Sequence, residues 1–236
     1  MSLAVVIPVY NEEKSIAILI TDLRQMLEGM GIDFKLIIIN DGSTDSSRNI
    51  LLKLAAADKR ITLFNEQNKG HGACLLKGYR AALAADMIFQ IDSDYQYSLN
   101  AFPSLWSERK NFDLLIAQRE RKESSLSRDI ISFISRWQTK ILFGGALDDI
   151  NCPFRLMSKS MLEQALQEIP PTAFAPNMLI SAYCIKNRLP VFTTVCHLNR
   201  SVALRKSKLN SRLFSGSANT FADMLRLRFN SKRDEK

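Results

Sequence analysis

The chain of 236 residues carries a formal charge of +8 and is 46% hydrophobic and 24% charged, the balance of an ordinary globular protein. That excludes a disordered tail or linker, and one fold of this length buries roughly 70–75% of the surface its unfolded chain exposes, without disulfide or metal staples. The four cysteines, Cys74, Cys152, Cys184 and Cys196, form no CxxC pair or Cys/His ladder and read as reduced cytosolic thiols.

Residues 4–8 (AVVIP), 34–40 (FKLIIIN), 61–65 (ITLFN) and 87–92 (MIFQID) are predicted strands, the first two nearly all apolar, as in strands covered on both faces. The N-terminus lacks a positively charged leader, so it predicts a strand rather than a signal peptide. Residues 15–28 place Ile16, Leu19, Ile20, Leu23, Met26 and Leu27 on one helical stripe, and residues 46–57 and 72–85 supply two further helices. This βαβαβαβ run predicts an α/β fold with a mostly parallel, Rossmann-like sheet flanked by helices. Beyond it, residues 114–117 predict a fifth strand, 126–143 an amphipathic helix, 158–167 another helix and 191–195 a late strand. The stripe of Leu126, Ile130, Ile134, Trp137 and Ile141 fits either a core-facing helix or one lying on a membrane surface. Residues 210–236 predict a basic amphipathic helix with a frayed end, so the chain reads as one catalytic domain over 1–210 and a basic segment over 211–236. No apolar run approaches the roughly 18 residues of a membrane span.

The charge is unevenly spread, at −2 over residues 1–100, +3 over 101–196 and +7 over 197–236. A basic end points either to a polyanionic partner, with nucleic acid and an anionic membrane surface as candidates, or to a solvated tail. Nucleic acid is disfavoured, because the charge is not interleaved with aromatics and carboxylates crowd the expected ligand edge.

Ligands of open parallel sheets bind beyond the carboxyl ends of the strands, and here those ends are polar: Tyr10 to Glu13, Asp41 to Asp45, Glu66 to Gly72, and Asp92 to Asp94. Asp92 and Asp94, spaced i and i+2, share one face if the strand continues, and so offer hard oxygen ligands to a divalent cation that shares its shell with a diphosphate. An Asp-rich turn capping the next helix is the plainer alternative. Asn40 to Asp45 reads either as a turn with an N-cap, the plainer reading for Ser43 and Thr44, or as a nucleobase contact at Asp41. Asn68 to Ala73 allows close backbone approach at a helix N-terminus but lacks the spacing of a P-loop or a dinucleotide fingerprint. Within it, His71 fits a loop hydrogen bond as well as a catalytic role.

Taken in order, Pro8-Val9-Tyr10-Asn11-Glu12-Glu13, Asn40 to Asp45, Asn68 to Gly72 with Lys77-Gly78, and Asp92-Ser93-Asp94 with Gln96 resemble the inverting glycosyltransferase family 2 of GT-A fold. Within it, the Asp-x-Asp-x-Gln pattern resembles the polyprenol-phosphate hexose synthases. The resemblance spans roughly residues 3–160 and implies a nucleotide pocket lined by Pro8, Tyr10 and Glu12, with Asp41 at the base. It further implies Asp92 and Asp94 on Mg²⁺ or Mn²⁺ and the diphosphate, and Gln96 beside the reacting sugar. The segment Asp149 to Arg155 is similar to the family's Asp-x-x-Ser-Gly-Phe-Arg element and implies Arg155 near phosphate, with Cys152-Pro153 departing from the pattern. Lys69 and Arg119 are further candidates for the nucleotide side. Arg200 and Lys208 are similar to the late Arg…Ser-Lys element at a longer spacing, and Asn40 replaces the more usual first Asp of its motif.

The expected activity is transfer of a hexose from a UDP- or GDP-sugar to a polyprenyl phosphate. The expected place is the cytoplasmic face of a membrane, peripherally bound, with room for a membrane-embedded partner protein. A phosphate monoester is already largely ionised at pH 7 and needs no general base, and residues 174–178 hold no carboxylate to act as one. Asp148 and Asp149 keep open the alternative of a sugar hydroxyl acceptor in surface polysaccharide synthesis. A non-catalytic nucleotide-sugar sensor is the alternative from a different class.

Overall fold

The computed structural model describes residues 1–119, 137–145, 147–197, 199 and 211–229, with the backbone alone at Arg119 and at residues 211–217. The first half alternates as its periodicity predicts: β1 (Leu3–Val9), α1 (Ile16–Gly29), β2 (Phe34–Asp41), α2 (Ser47–Ala57), β3 (Ile61–Glu66), α3 (His71–Ala82) and β4 (Met87–Gln90). A 3₁₀ turn at Leu99–Ala101 then leads into α4 (Phe102–Glu108) and β5 (Leu114–Arg119). The second half continues with β6 (Arg155–Ser158), α5 (Lys159–Glu168), α6 (Pro176–Lys186), β7 (Val191–Cys196) and α7 (Ser211–Phe229).

The strands form one seven-stranded sheet in the order β3-β2-β1-β4-β6-β5-β7. All neighbours are parallel except β6, which runs antiparallel to both β4 and β5. Position in this order explains the composition of each strand. β1 is central and every residue from Leu3 to Val9 is buried, whereas β3 and β7 lie at the edges and alternate between covered and open positions. Helix α1 buries Ile16, Leu19, Ile20, Leu23 and Leu27, the stripe expected from sequence, each worth about 1.5–3 kcal/mol. Beneath the sheet's centre Phe89 meets Phe102 and Phe154 edge to face, both at 4.8 Å between ring centroids.

Successive connections step from β1 through β2 to β3 on one side and to β4 on the other. The sheet therefore reverses its winding between β1 and β4, and a crevice opens beyond their carboxyl ends.

Of the two amphipathic helices expected in the second half, the earlier differs from its core-facing reading and the later is amphipathic as expected. Residues 137–143 are helical, but Trp137 and Ile141 are 62% and 60% exposed, while Thr139 is buried and Leu142 and Phe143 pack on the core. The core-facing reading of that stripe therefore fails at its two described members; residues 126–136 lie outside the described residues. Helix α7 packs against α6 and buries Met224 and Leu227, leaving Phe221, Phe229, Arg226 and Arg228 exposed. Among the described residues no helix is long and apolar enough to cross a membrane.

Candidate active site

The crevice is a cleft of about 290 Å³ lined by Pro8, Tyr10, Glu12, Asp41, Gly70, His71, Asp92 and Asp94, together with Val9, Asn68, Cys74 and Ser93. Four separate strand ends thus build one site, as their shared polarity suggested. Hydrogen bonds between the loops explain why they hold together. The Asn11 side-chain oxygen accepts from the Thr44 amide at 2.8 Å, and the Glu12 amide donates to the Ser47 hydroxyl at 2.8 Å. The Ser46 amide donates to the Glu13 carboxylate at 3.0 Å, and the buried Ser15 hydroxyl lies 2.8 Å from the Ser93 carbonyl oxygen. Asp45 caps the start of α2 through the Ser47 amide at 2.9 Å. Burial alone would raise its carboxyl, but hydrogen bonds from Ser47 and Glu13 hold it below the usual range. Ser43 and Thr44 therefore serve the turn, the plainer of their two readings.

Asp41 is buried, and its carboxylate accepts the Lys69 amide at 2.7 Å and the Gly70 amide at 3.0 Å. It fixes the 68–70 loop whatever else it contacts. Gly42 is at φ +66° and a Cβ there would lie 2.8 Å from the Asn68 backbone nitrogen, so this turn requires glycine. Asn40, in place of the usual Asp, is buried and donates to Asn65 across the β2–β3 ladder at 3.0 Å. Cys74 forms part of the cleft wall, and burial together with the nearby Asp41 pushes its thiol up to about 12, so it stays protonated. Lys69 does not line the cleft; its ammonium pairs with Glu66 at 3.2 Å on the exposed rim.

Strand β4 ends at Gln90, so Asp92 and Asp94 sit on a turn rather than in a continuing strand. The turn closes through Tyr95 at φ +52°. Each carboxylate is oriented by a buried glutamine: Gln90 Nε2 donates to Asp92 Oδ1 at 2.9 Å and Gln96 Nε2 to Asp94 Oδ2 at 2.7 Å. Gln96 therefore stands behind Asp94 and does not line the cleft, contrary to the expectation that it meets the sugar. His71 brings Nε2 to 3.9 Å from Asp92 Oδ1.

Arg155 corrects the sequence reading most clearly. It is fully buried, its Nε donating to the Cys152 carbonyl at 2.7 Å, Nη1 to the Asn177 carbonyl at 2.9 Å and Nη2 to the Ile150 carbonyl at 3.2 Å. A guanidinium so engaged ties the 149–152 loop to α6 and is not presented to a phosphate. Arg200 and Lys208, like the side chain of Arg119, lie outside the described residues.

The donor set suits a hard divalent cation. Asp92 and Asp94 supply carboxylate oxygens, and among the described residues no group of three or more His, Cys, Asp or Glu side chains is arranged to hold a metal alone. That is the chemistry of Mg²⁺ or Mn²⁺ completing its shell on substrate phosphate and water.

The model of the family described as glycosyl transferase family 2 matches residues 4–166, which include every residue lining this cleft. The chain belongs to that family. Its similarity to curated proteins includes the undecaprenyl-phosphate 4-deoxy-4-formamido-L-arabinose transferases of Salmonella paratyphi B and Salmonella newport. Each is 29% identical over 176 residues, covering 73% of this chain and 54% of the relative. The chain thus spans about half the length of these relatives. Among solved structures, the fold is similar to glucosyl-3-phosphoglycerate synthase of Mycobacterium tuberculosis in complex with Mn²⁺, UDP and phosphoglyceric acid. That match has a TM-score of 0.70 at 16% identity and covers 98% of this chain and 80% of the other. The same enzyme with Mg²⁺ and UDP aligns at a TM-score of 0.69 and 17% identity, covering 96% and 79%. At such identities these neighbours establish the fold, a GT-A sheet with helices on both faces.

Proposed function

We propose that this family 2 glycosyltransferase moves a hexose from a UDP- or GDP-sugar to a polyprenyl phosphate by a single inverting displacement, at the cytoplasmic face of a membrane. The observation that carries the reading is the pairing of Asp92 and Asp94, each oriented by a buried amide, in one cleft with Tyr10, Asp41 and the amino end of α3. Asp92 and Asp94 would hold the metal, which when bound would offset the charge of the leaving diphosphate. Pro8, Tyr10 and Glu12 border the nucleoside, and Asp41 and the backbone around Gly70 its base side. Arg119, Arg200 and Lys208 are the cations offered to the phosphates, with Lys69 held by Glu66 at the rim.

In the displacement an oxygen of the acceptor phosphate forms the new bond to the anomeric carbon as the bond to the donor diphosphate breaks, and the electron pair leaves with the nucleoside diphosphate. No proton needs to be removed. The cleft agrees with that economy. Its carboxylates are Glu12, Asp41, Asp92 and Asp94, and the first two are engaged with Ser15 and with the 68–70 backbone. The activity named for the relatives, transfer to undecaprenyl phosphate, supports the same acceptor class. Exposed Trp137 and Ile141, and Phe229 beside Arg226 and Arg228 on α7, suit a peripheral contact with an anionic bilayer, where each cation is worth about 1 kcal/mol. On this reading residues 1–210 carry the chemistry and the basic segment 211–236 faces the membrane, alone or against a membrane-embedded partner.

The deciding experiment is a thermal-shift panel of UDP, GDP and their hexose conjugates with and without Mn²⁺, followed by transfer to a polyprenyl phosphate in vesicles. Metal-dependent stabilisation by one nucleotide, lost in Asp94→Ala, together with product in the organic phase, is expected. Retained transfer by Asp94→Ala, or no stabilisation by any nucleotide, sinks the assignment.

A further inference from the structure

Behind Asp92 runs a hydrogen-bonded chain that joins three distant parts of the sequence. Gln90, at the end of β4, donates to Asp92 Oδ1 at 2.9 Å; its own oxygen accepts from Asn177 Nδ2 on α6 at 3.0 Å; and the Asn177 oxygen accepts from the Tyr79 hydroxyl on α3. Gln90, Asn177 and Tyr79 are all fully or almost fully buried, and the chain reaches solvent only at Asp92, whose carboxylate is 30% exposed.

The polarity of this chain is determined from its open end. An ionised carboxylate accepts only, so Gln90 must turn its NH₂ toward Asp92. Its oxygen then faces Asn177, which must answer with NH₂, and the Asn177 oxygen in turn needs a donor, which Tyr79 supplies. Turning either amide over would set two acceptors or two donors face to face in a buried site, at the cost of unmet hydrogen bonds. Burial pushes the Tyr79 phenol well above its ordinary value, so it remains a neutral donor throughout the working range of pH. Asn177 is anchored further by its carbonyl, which accepts from the buried Arg155 at 2.9 Å. The guanidinium that does not reach phosphate thus braces the far end of this chain.

We infer that Gln90, Asn177 and Tyr79 are positioning residues that hold the Asp92 carboxylate in one orientation and thereby set the affinity of the site for its divalent cation, a reading that rests on the metal-dependent function proposed above. Outer partners of this kind typically contribute ten- to a hundredfold in metal affinity. The chain also couples the site to α6, because Asn177 belongs to the helix that follows the 173–175 segment packed against the start of α3.

The test is the half-saturating Mn²⁺ concentration, read by thermal shift or calorimetry at saturating UDP or GDP, for wild type, Gln90→Met, Tyr79→Phe and the double variant. Gln90→Met is expected to raise it roughly ten- to a hundredfold, with excess Mn²⁺ restoring nucleotide binding. Tyr79→Phe, which does not touch Asp92, is expected to raise it less in the wild-type background and not at all in Gln90→Met, because its effect passes through that amide. Lower melting temperatures with an unchanged Mn²⁺ half-saturation would make the chain a mere structural strut and overturn the inference. If Gln90→Met does not fold, Tyr79→Phe decides by the same criterion. A wild type that binds nucleotide without any metal dependence removes the proposed function first and the inference with it.

Discussion

Replacing Asp41 by Asn separates two roles that coincide at this position. The carboxylate accepts two main-chain amides, from Lys69 at 2.7 Å and Gly70 at 3.0 Å, and it is buried. Asparagine keeps one acceptor oxygen and sets its NH₂ against the other amide, so one charge-assisted hydrogen bond is lost and two donors face each other. A hydrogen bond to a charged group contributes about 1.5–3 kcal/mol and an unmet buried donor costs about 1–3 kcal/mol. The two estimates overlap in what they count, so the expected destabilisation is about 2–3 kcal/mol, equivalent to roughly 4–12 °C in melting temperature for a chain of this size. The assay is urea and thermal denaturation of both proteins without ligand, then nucleotide titration with Mn²⁺. If Asp41 acts only on a nucleobase, the ligand-free stabilities coincide and binding alone suffers, and that result would refute the role of Asp41 in holding the 68–70 loop. If stability falls while nucleotide binding is untouched, the loop is held by Asp41 but lies outside the site.

Three further outcomes follow from the geometry. In Gly72→Ala the new Cβ would lie 2.4 Å from the Ala173 carbonyl oxygen and 2.5 Å from that of Phe174, so backbone must move. The overpacking cost of about 1–3 kcal/mol should exceed the gain of about 1 kcal/mol in helix propensity, lowering the urea midpoint and weakening nucleotide binding; an unchanged midpoint contradicts this. Asp58 is held at about 2 by the Arg60 side-chain hydrogen bonds, at 3.0 and 2.8 Å, against the effect of burial and with help from Arg24. Because its folded value is depressed, its contribution is complete above pH 4 and disappears as pH falls toward 2. Asp58→Asn should therefore lower stability at neutral pH and flatten the acid limb in that window, whereas parallel profiles of urea midpoint against pH would rule the pair out. Finally, replacing Trp137 and Ile141 together by Ser should reduce co-flotation with anionic vesicles while leaving metal-dependent nucleotide binding intact; equal flotation would remove this face from the membrane contact.

The first half of the molecule was legible because its strands are buried on both faces and its helices bury one stripe, so period and composition agree. The second half was harder for identifiable reasons. Helix α6, with the sequence PNMLISAYCIK, is buried on nearly all sides, which erases the helical period. β6 is four residues long and opens with Arg155, a residue that reads as surface until its carbonyl partners are seen. The cleft was found from strand-end polarity, and six of the expected residues, Pro8, Tyr10, Glu12, Asp41, Asp92 and Asp94, line it together. The motif resemblance places Gln96 and Arg155 at the substrate, whereas a local bond to Asp94 engages the Gln96 amide and the carbonyls of Ile150, Cys152 and Asn177 draw the Arg155 guanidinium inward. Gln90, Asn177 and Tyr79 carried no local signal at all: a buried glutamine in an apolar strand is the one hint, since such an amide must have a partner.

The sign of the charge in the cleft bears on why amides stand where they do. Glu12, Asp41, Asp92 and Asp94 border a space proposed for a diphosphate, although the chain as a whole is basic. At 4 Å and an effective dielectric constant of 20, each carboxylate–phosphate pair repels by about 4 kcal/mol, far more than the 0.3–1 kcal/mol or so that the amino end of α3 returns. A divalent cation, if held by Asp92 and Asp94, would turn the nearest of these repulsions into attractions, provided both carboxylates keep their full charge. A lysine or arginine in the place of Gln90 or Gln96 would orient them equally well and neutralise them, competing with the metal. A buried amide donates one hydrogen bond and no charge, so it restricts the rotamer while leaving the negative charge for the cation.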